Sequence, residues 1–229
     1  MREHIVQLLM DELRWGGPFL VLPQNSGDPS SEHPAAGLDL ESLELRVRTC
    51  RACRLAATRK NTVFGEGDPR ARLMFIGEGP GAVEDDTGRP FVGPAGELLT
   101  RIIAAMGLDR KDVYIANVVK CRPPGNRDPE PDEIRACMGY LEDQIRLVGP
   151  QVIVALGRVA SHALLDETTP IGRLRGTFRR YGDIPLMPTY HPSYLLQNEA
   201  RKKDVWEDMK KVMYVLGLKR VQRGSPGRS

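Results

Sequence analysis

Residues 72–96, RLMFIGEGPGAVEDDTGRPFVGPAG, constrain this chain more than any other stretch. Leu73, Met74, Phe75 and Ile76 form an unbroken apolar run, the mark of a strand buried on both faces. The run empties into Gly77-Glu78-Gly79-Pro80-Gly81, where a helix cannot continue and where three glycines let backbone approach a ligand with no Cβ in the way. A loop of this kind at the carboxyl end of a strand is a ligand platform.

At 229 residues the chain can hold one large domain or two small ones, with a sizeable core. No apolar run approaches the roughly 18 residues a membrane span needs. The opening MREHIVQLLMDELRWGG carries acids through its apolar stretch and does not read as a secretory signal. The expectation is a cytoplasmic protein with no membrane partner. The formal charge is +3, and the acid-free tail with Lys219, Arg220, Arg223 and Arg228 accounts for it, leaving the body close to neutral. Such a tail can hold nucleic acid or lie solvated and frayed, and alone it decides nothing.

Ile5, Val6, Leu8, Leu9 and Leu13 are spaced for a short amphipathic helix, while LPQNSGDPSSEHPAAG over 22–37 is too poor in apolar residues to pack. The expected organisation is an extension over 1–37, a compact domain over 38–218 and a basic tail over 219–229. Within the domain, helical periodicity runs over 40–59 and delivers Cys50 and Cys53 one turn apart. Buried strands are expected at 72–76, 113–119, 151–156 and 184–188. Helices are expected at 96–106, 132–147, 157–165 and 201–216, with 173–182 basic and exposed. Strands alternating with helices predict a three-layer α/β/α fold around a central, mostly parallel four-stranded sheet.

Each of the four cysteines, taken singly, reads as a small core residue. As a set they read otherwise. Cys50 and Cys53 have the C-x2-C spacing that lets two thiolates reach one metal, and Cys121 and Cys137 follow at a strand end and on the next helix. Four thiolates suit a zinc ion or an iron–sulfur cluster, and spacing does not choose between them. Three polar residues sit at strand ends: Glu78 after the first strand, Asn117 late in the second, His191 after the fourth. A parallel sheet would bring all three to one carboxyl edge. A buried amide and imidazole there need partners, which favours a site over three unrelated surface residues.

An ordered set of motifs carries a resemblance: Cys50-x2-Cys53, VFGEGDP at 63–69, GEGPGAVEDDTGRPFVGPAG at 77–96, NVVKCRPPGNRDP at 117–129, Cys137, LGRVA at 156–160 and HPSYLL at 191–196. Together they resemble the family 4 uracil-DNA glycosylases, the iron–sulfur type. The resemblance implies a monofunctional enzyme that flips uracil out of single- or double-stranded DNA and hydrolyses its N-glycosidic bond. It implies a monomer with a structural 4Fe–4S cluster on Cys50, Cys53, Cys121 and Cys137. Phe91 matches the aromatic that stacks on the flipped base, Asn117 the amide that reads its edge, and His191 the histidine near its O2. Gly77, Glu78, Gly79 and Glu84 match the first motif, whose carboxylates support water attack, and Asn126 matches a loop position that braces it. Leu195, four residues after His191, is placed to wedge into the vacated stack, against the alternative of a loop leucine touching the core.

The chemistry fits those roles. A fixed amide that accepts from uracil N3–H and donates to O4 meets the opposite pattern in cytosine and rejects it. Gln197, Asn198 and Glu199 stand where relatives often carry a basic residue, so one phosphate contact is lost or displaced. Two competing readings are a covalent uracil-DNA-binding relative and a non-catalytic DNA-binding module with a structural metal site. The plain CRPPGNRDPEP connection, without the histidine-bearing basic loop of the covalent relatives, favours turnover.

Overall fold

The computed structural model describes residues 38–218. The expected helix and linker at the amino end and the basic tail lie outside the described residues. Among the described residues no helix is long and apolar enough to cross a membrane.

The core of the fold is four parallel strands. In chain order these are β2 (Leu73–Gly77), β3 (Tyr114–Asn117), β4 (Val152–Leu156) and β6 (Ile184–Thr189). The expected four-stranded sheet needs one correction: it has six strands. β1 (Glu66–Gly67) pairs antiparallel with β3, and β5 (Arg179–Tyr181) pairs antiparallel with β6, in the order β1-β3-β2-β4-β6-β5. Two or three residues are too few to show a two-residue periodicity, so neither edge strand stands out in the sequence. β5 also corrects the reading of 173–182 as an exposed basic stretch: Leu174 is fully buried in the short helix α6 (Ile171–Leu174).

Alternating side chains split the sheet into two apolar faces. Leu73, Phe75, Ile115, Val152 and Val154 pack with Leu98, Leu99 and Ile103 of α3 (Pro94–Ala105) and Val205, Met209 and Val212 of α8 (Lys202–Val215). Met74, Ile76, Ala116, Ile153 and Ala155 pack on the other face with Leu141 and Ile145 of α4 (Pro131–Val148) and Ala160 and Leu164 of α5 (Gly157–Leu165). Both faces of the central strands are thus dry, which is why they read as continuous apolar runs. A third, smaller cluster joins Leu43 and Val47 of α1 (Leu40–Thr49) to Phe64. The helix expected over 40–59 ends before the cysteines. Asp39 caps α1 by accepting from the Ser42 N–H at 2.8 Å, and Cys50 leaves the helix with ψ 137.

The strand order reverses at β2: β3 lies on one side of it and β4 on the other. Chain leaving adjacent β2 and β4 departs to opposite faces, and the carboxyl edge there opens into a crevice. Gly77 and Asn117 are paired in register at that edge, and Leu156 is paired with Thr189, two residues before His191.

Candidate active site

Close packing dictates the glycine at 77. A Cβ there would lie 2.4 Å from Cζ of Phe91 and 2.5 Å from Oδ1 of Asn117, so any side chain would push the ring and the amide apart. Phe91 is itself held in a backbone conformation that a bulky residue rarely adopts, with φ 52. Three features hold it there. Arg110 donates to the carbonyls of Phe91 at 3.0 Å and Pro90 at 2.8 Å, and Gly96 leaves room for the Phe91 carbonyl, which a Cβ would meet at 1.9 Å. Strain of this order, roughly 1–3 kcal/mol, persists only where the surroundings over-determine it, and such places cluster at functional sites.

Glu84, in α2 (Ala82–Thr87), closes the same loop. Its Oε1 accepts from the backbone N–H groups of Val92 at 2.9 Å and Gly93 at 2.8 Å, and its Oε2 accepts from Gly81 N–H at 3.2 Å. Both oxygens are engaged in fixing the turn that carries Phe91.

Asn117, 1 % exposed, has a side-chain oxygen with no hydrogen-bond partner. A buried acceptor left bare costs about 1–3 kcal/mol, which a native fold bears where a ligand supplies the missing donor. His191 stands at the amino end of α7 (Pro192–Gln197). Its Nδ1 accepts from Ser193 N–H at 3.2 Å and lies 2.7 Å from Ser193 Oγ. That bond assigns the proton of the neutral ring to Nε2, which is the donor. Burial pushes its pKa down to about 4, against a smaller opposing pull from Glu84, so the ring is neutral at physiological pH. Its centroid lies 5.7 Å from that of Phe91, and Gly157 (φ 88) leaves space for its Cβ at the end of β4.

Beside this group lies an open cleft of about 430 Å³, lined by Glu78 to Glu84, Gly93 to Ala95, Pro123, Asn126, Arg127, Ser193 and Leu196. Burial, and then the neighbouring Asp128 carboxylate, push the Glu78 carboxyl up to about 7, while Arg158 pulls it back. Arg158 in turn pairs with Asp128. Neither Asp128 nor Arg158 stood out in the sequence, since they lie 50 and 80 positions from Glu78 and meet it only through the fold. Asn126 is exposed and accepts from Arg122 Nε at 2.7 Å through its side chain. The structure does not present Leu195 to DNA: it is 1 % exposed and packed in the core with Phe91 and Leu98. With His191 capping α7, the helical turn directs Leu195 inward and its neighbour outward. Leu196, 43 % exposed, forms the rim, across from the equally exposed Val83.

All four cysteines line one hollow on the far side of Asn117's strand, with Arg59, Lys120 and Tyr140. Donors face the sulfurs: Ala52 N–H to Cys50 at 3.4 Å, Arg59 to Cys121 at 3.2 Å and Lys120 N–H to Cys137 at 3.3 Å. Burial pushes the Cys137 thiol up to about 11 and Cys121 upward as well, so thiolates there require positive charge close by. A bound metal centre would supply it. Among the described residues no three side chains converge tightly enough to hold a single ion. Four sulfurs around one hollow are a donor set that suits a soft metal centre, a zinc ion or an iron–sulfur cluster.

The model of the uracil DNA glycosylase superfamily matches residues 64–210. The type-4 uracil-DNA glycosylase of Saccharolobus solfataricus is 47 % identical over 190 residues, covering 79 % of this chain and 88 % of that protein. Its counterpart from Thermotoga maritima is 48 % identical over 176 residues, covering 75 % and 92 %. A type-5 uracil-DNA glycosylase of Thermus thermophilus is 36 % identical over 160 residues and covers 56 % of this chain and 73 % of its own.

Proposed function

Because this chain belongs to the uracil-DNA glycosylase superfamily, and to its type-4 branch, we propose that it excises uracil from DNA in base excision repair through the residues gathered around Gly77. The carrying observation is the bare, buried Oδ1 of Asn117, beside the rings of Phe91 and His191. Uracil stacked in a duplex hides its glycosidic bond, so the nucleotide is extruded into the pocket. Phe91 repays part of the lost stacking. Asn117 Oδ1 accepts from N3–H of uracil, and its amide nitrogen donates to O4. Cytosine offers an acceptor and a donor in the reverse order, and the mismatch leaves buried polar groups unpaired.

Cleavage of the bond leaves negative charge on the base and an oxocarbenium-like sugar. Nε2–H of His191 stabilises the charge developing at O2 by donating to it, and being neutral it costs no buried cation beforehand. Of the two first-motif carboxylates, Glu78 is the one free to orient water, since backbone N–H groups occupy Glu84. Glu84 is then a positioning residue for the Phe91 loop. Gly77 and Gly79 let the base and its phosphate approach the backbone, and Asn126 braces the opposite wall. Leu196 fills the gap left by the flipped nucleotide in place of Leu195. Cys50, Cys53, Cys121 and Cys137 hold a 4Fe–4S cluster, which ties three separate segments together and takes no part in the chemistry. The enzyme works as a cytoplasmic monomer on single- or double-stranded DNA.

One incubation tests the reading. An oligonucleotide with a single uracil, treated with the enzyme and then alkali, is expected to break at that position. An intact strand at enzyme excess would refute it.

A further inference from the structure

Lys120 is a fully buried lysine with no carboxylate of the described residues against its ammonium group. At 1 % exposure, its Nζ donates to the backbone carbonyl of Asn117 at 2.7 Å and to Gln144 Oε1 at 2.5 Å. Gln144, itself fully buried on α4, donates through Nε2 to the Phe64 carbonyl at 2.9 Å and to the Tyr114 hydroxyl at 3.2 Å. The backbone of Lys120 is pinned as well: its N–H meets Cys137 Sγ at 3.3 Å and its carbonyl accepts from Val63 N–H at 2.8 Å.

Burying an ammonium group is costly, and a core position of this size would take a methionine at less cost. What the lysine does that a methionine would not is grip the carbonyl of Asn117 as β3 ends. The strand ends at Asn117, and the backbone N–H groups that follow still run to the β2 edge, Val118 to Gly77 O at 2.9 Å and Val119 to Glu78 O at 3.1 Å. The Lys120 bond to the Asn117 carbonyl thus adds a tie from the α4 side. The Asn117 side chain has two torsions, so a shift of its backbone carries the amide with it. The long reach of Lys120 to Asn117 and Gln144 joins the end of β3 to the interior of α4, the helix that bears Cys137.

We propose that Lys120, held by Gln144, is a positioning residue that fixes Asn117 for reading the base. This rests on the assignment of Asn117 as the base-reading amide. The test compares Lys120→Met, Gln144→Met and Asn117→Ala in the full chain, purified without oxygen, with iron content and cooperative melting measured for each. Two quantities are read: the single-turnover rate of uracil excision, and affinity for DNA holding a tetrahydrofuran abasic analogue, which offers no base to read. A misplaced amide is expected to slow excision by Lys120→Met by roughly tenfold to a hundredfold, and by Gln144→Met less, with abasic-site affinity unchanged. An excision rate at the wild-type level in Lys120→Met, while Asn117→Ala is impaired, would overturn the proposal. So would a parallel fall in abasic-site affinity, or loss of cooperative melting in both methionine variants, since either assigns the network to the core alone. Wild-type excision by Asn117→Ala would remove the base-reading assignment itself, and the proposal with it.

Discussion

Glu84 holds the amide of Gly93 at 2.8 Å, nine residues along the chain, and with it the strained turn at Phe91. A glutamine there keeps one acceptor oxygen and turns an NH2 group toward a backbone N–H. Glu84→Gln is therefore expected to lower kcat by roughly tenfold, and Glu84→Ala by more, by loosening the stacking ring. Glu84→Asp, too short to reach, should not rescue. Single-turnover excision checks the series. A greater loss in Glu84→Gln than in Glu78→Gln would return the water to Glu84.

Glu78 is expected to set the acid limb of the rate. His191 stays neutral down to about pH 4, whereas the Glu78 carboxyl, pushed up to about 7, is half protonated near neutrality. A carboxylate that orients water must be ionised, so excision is expected to rise with pH through about 7. Asp128→Asn removes a neighbouring negative charge and should move that limb to lower pH. Arg158→Gln removes the opposing cation and should move it higher. A pH–rate profile of kcat/KM reads both shifts, and opposite signs would exclude Glu78 as the group.

Leucines 195 and 196 should separate cleanly. Leu196→Ala is expected to reduce excision from double-stranded DNA by roughly tenfold, since only a duplex leaves a stack to fill, and to spare single strands and stability. Leu195→Ala empties a core site and should destabilise the fold by about 2–5 kcal/mol, read by denaturant unfolding.

Glu133 is a stability device on the helix that bears Cys137. Its fully buried carboxylate accepts from Arg127 at 2.7 and 2.9 Å, from Arg54 at 2.9 Å and from Glu130 N–H at 2.8 Å. The hydrogen bonds from Arg127, more than offsetting burial, hold its pKa at about 2. The folded value lies below the unfolded one, so the stabilisation is complete above about pH 4.5 and is lost as pH falls toward 2. Glu133→Gln is expected to cost roughly 1–3 kcal/mol at pH 7, with the partial exposure of both arginines keeping it from the top of that range. The difference from wild type should shrink on acidification, as measured by unfolding at pH 7 and pH 3.

What the sequence made legible follows from distance along the chain. Leu73 to Ile76 announced a doubly buried strand because both faces of the sheet are covered. Parallel order then implied that Glu78, Asn117 and His191 share an edge. The two edge strands escaped because they are shorter than any period. Lys120, Asp128, Arg158 and Glu133 escaped because each reads as an ordinary charged residue until the fold adds a distant partner, Gln144 for Lys120, Arg158 for Asp128 and Arg54 for Glu133. The Leu195 and Leu196 pair shows the limit of motif matching: the family pattern supplies a leucine after the histidine, and the capped turn of α7 decides which one faces outward.

The two short strands flanking the parallel core have a consequence for crowding. β1 offers a neighbour two residues of backbone, and β5 three, two of them arginines. Neither is a template long enough for another chain to extend the sheet, and arginine on a rim repels a second rim like it. A second copy therefore finds little backbone on which to extend the sheet.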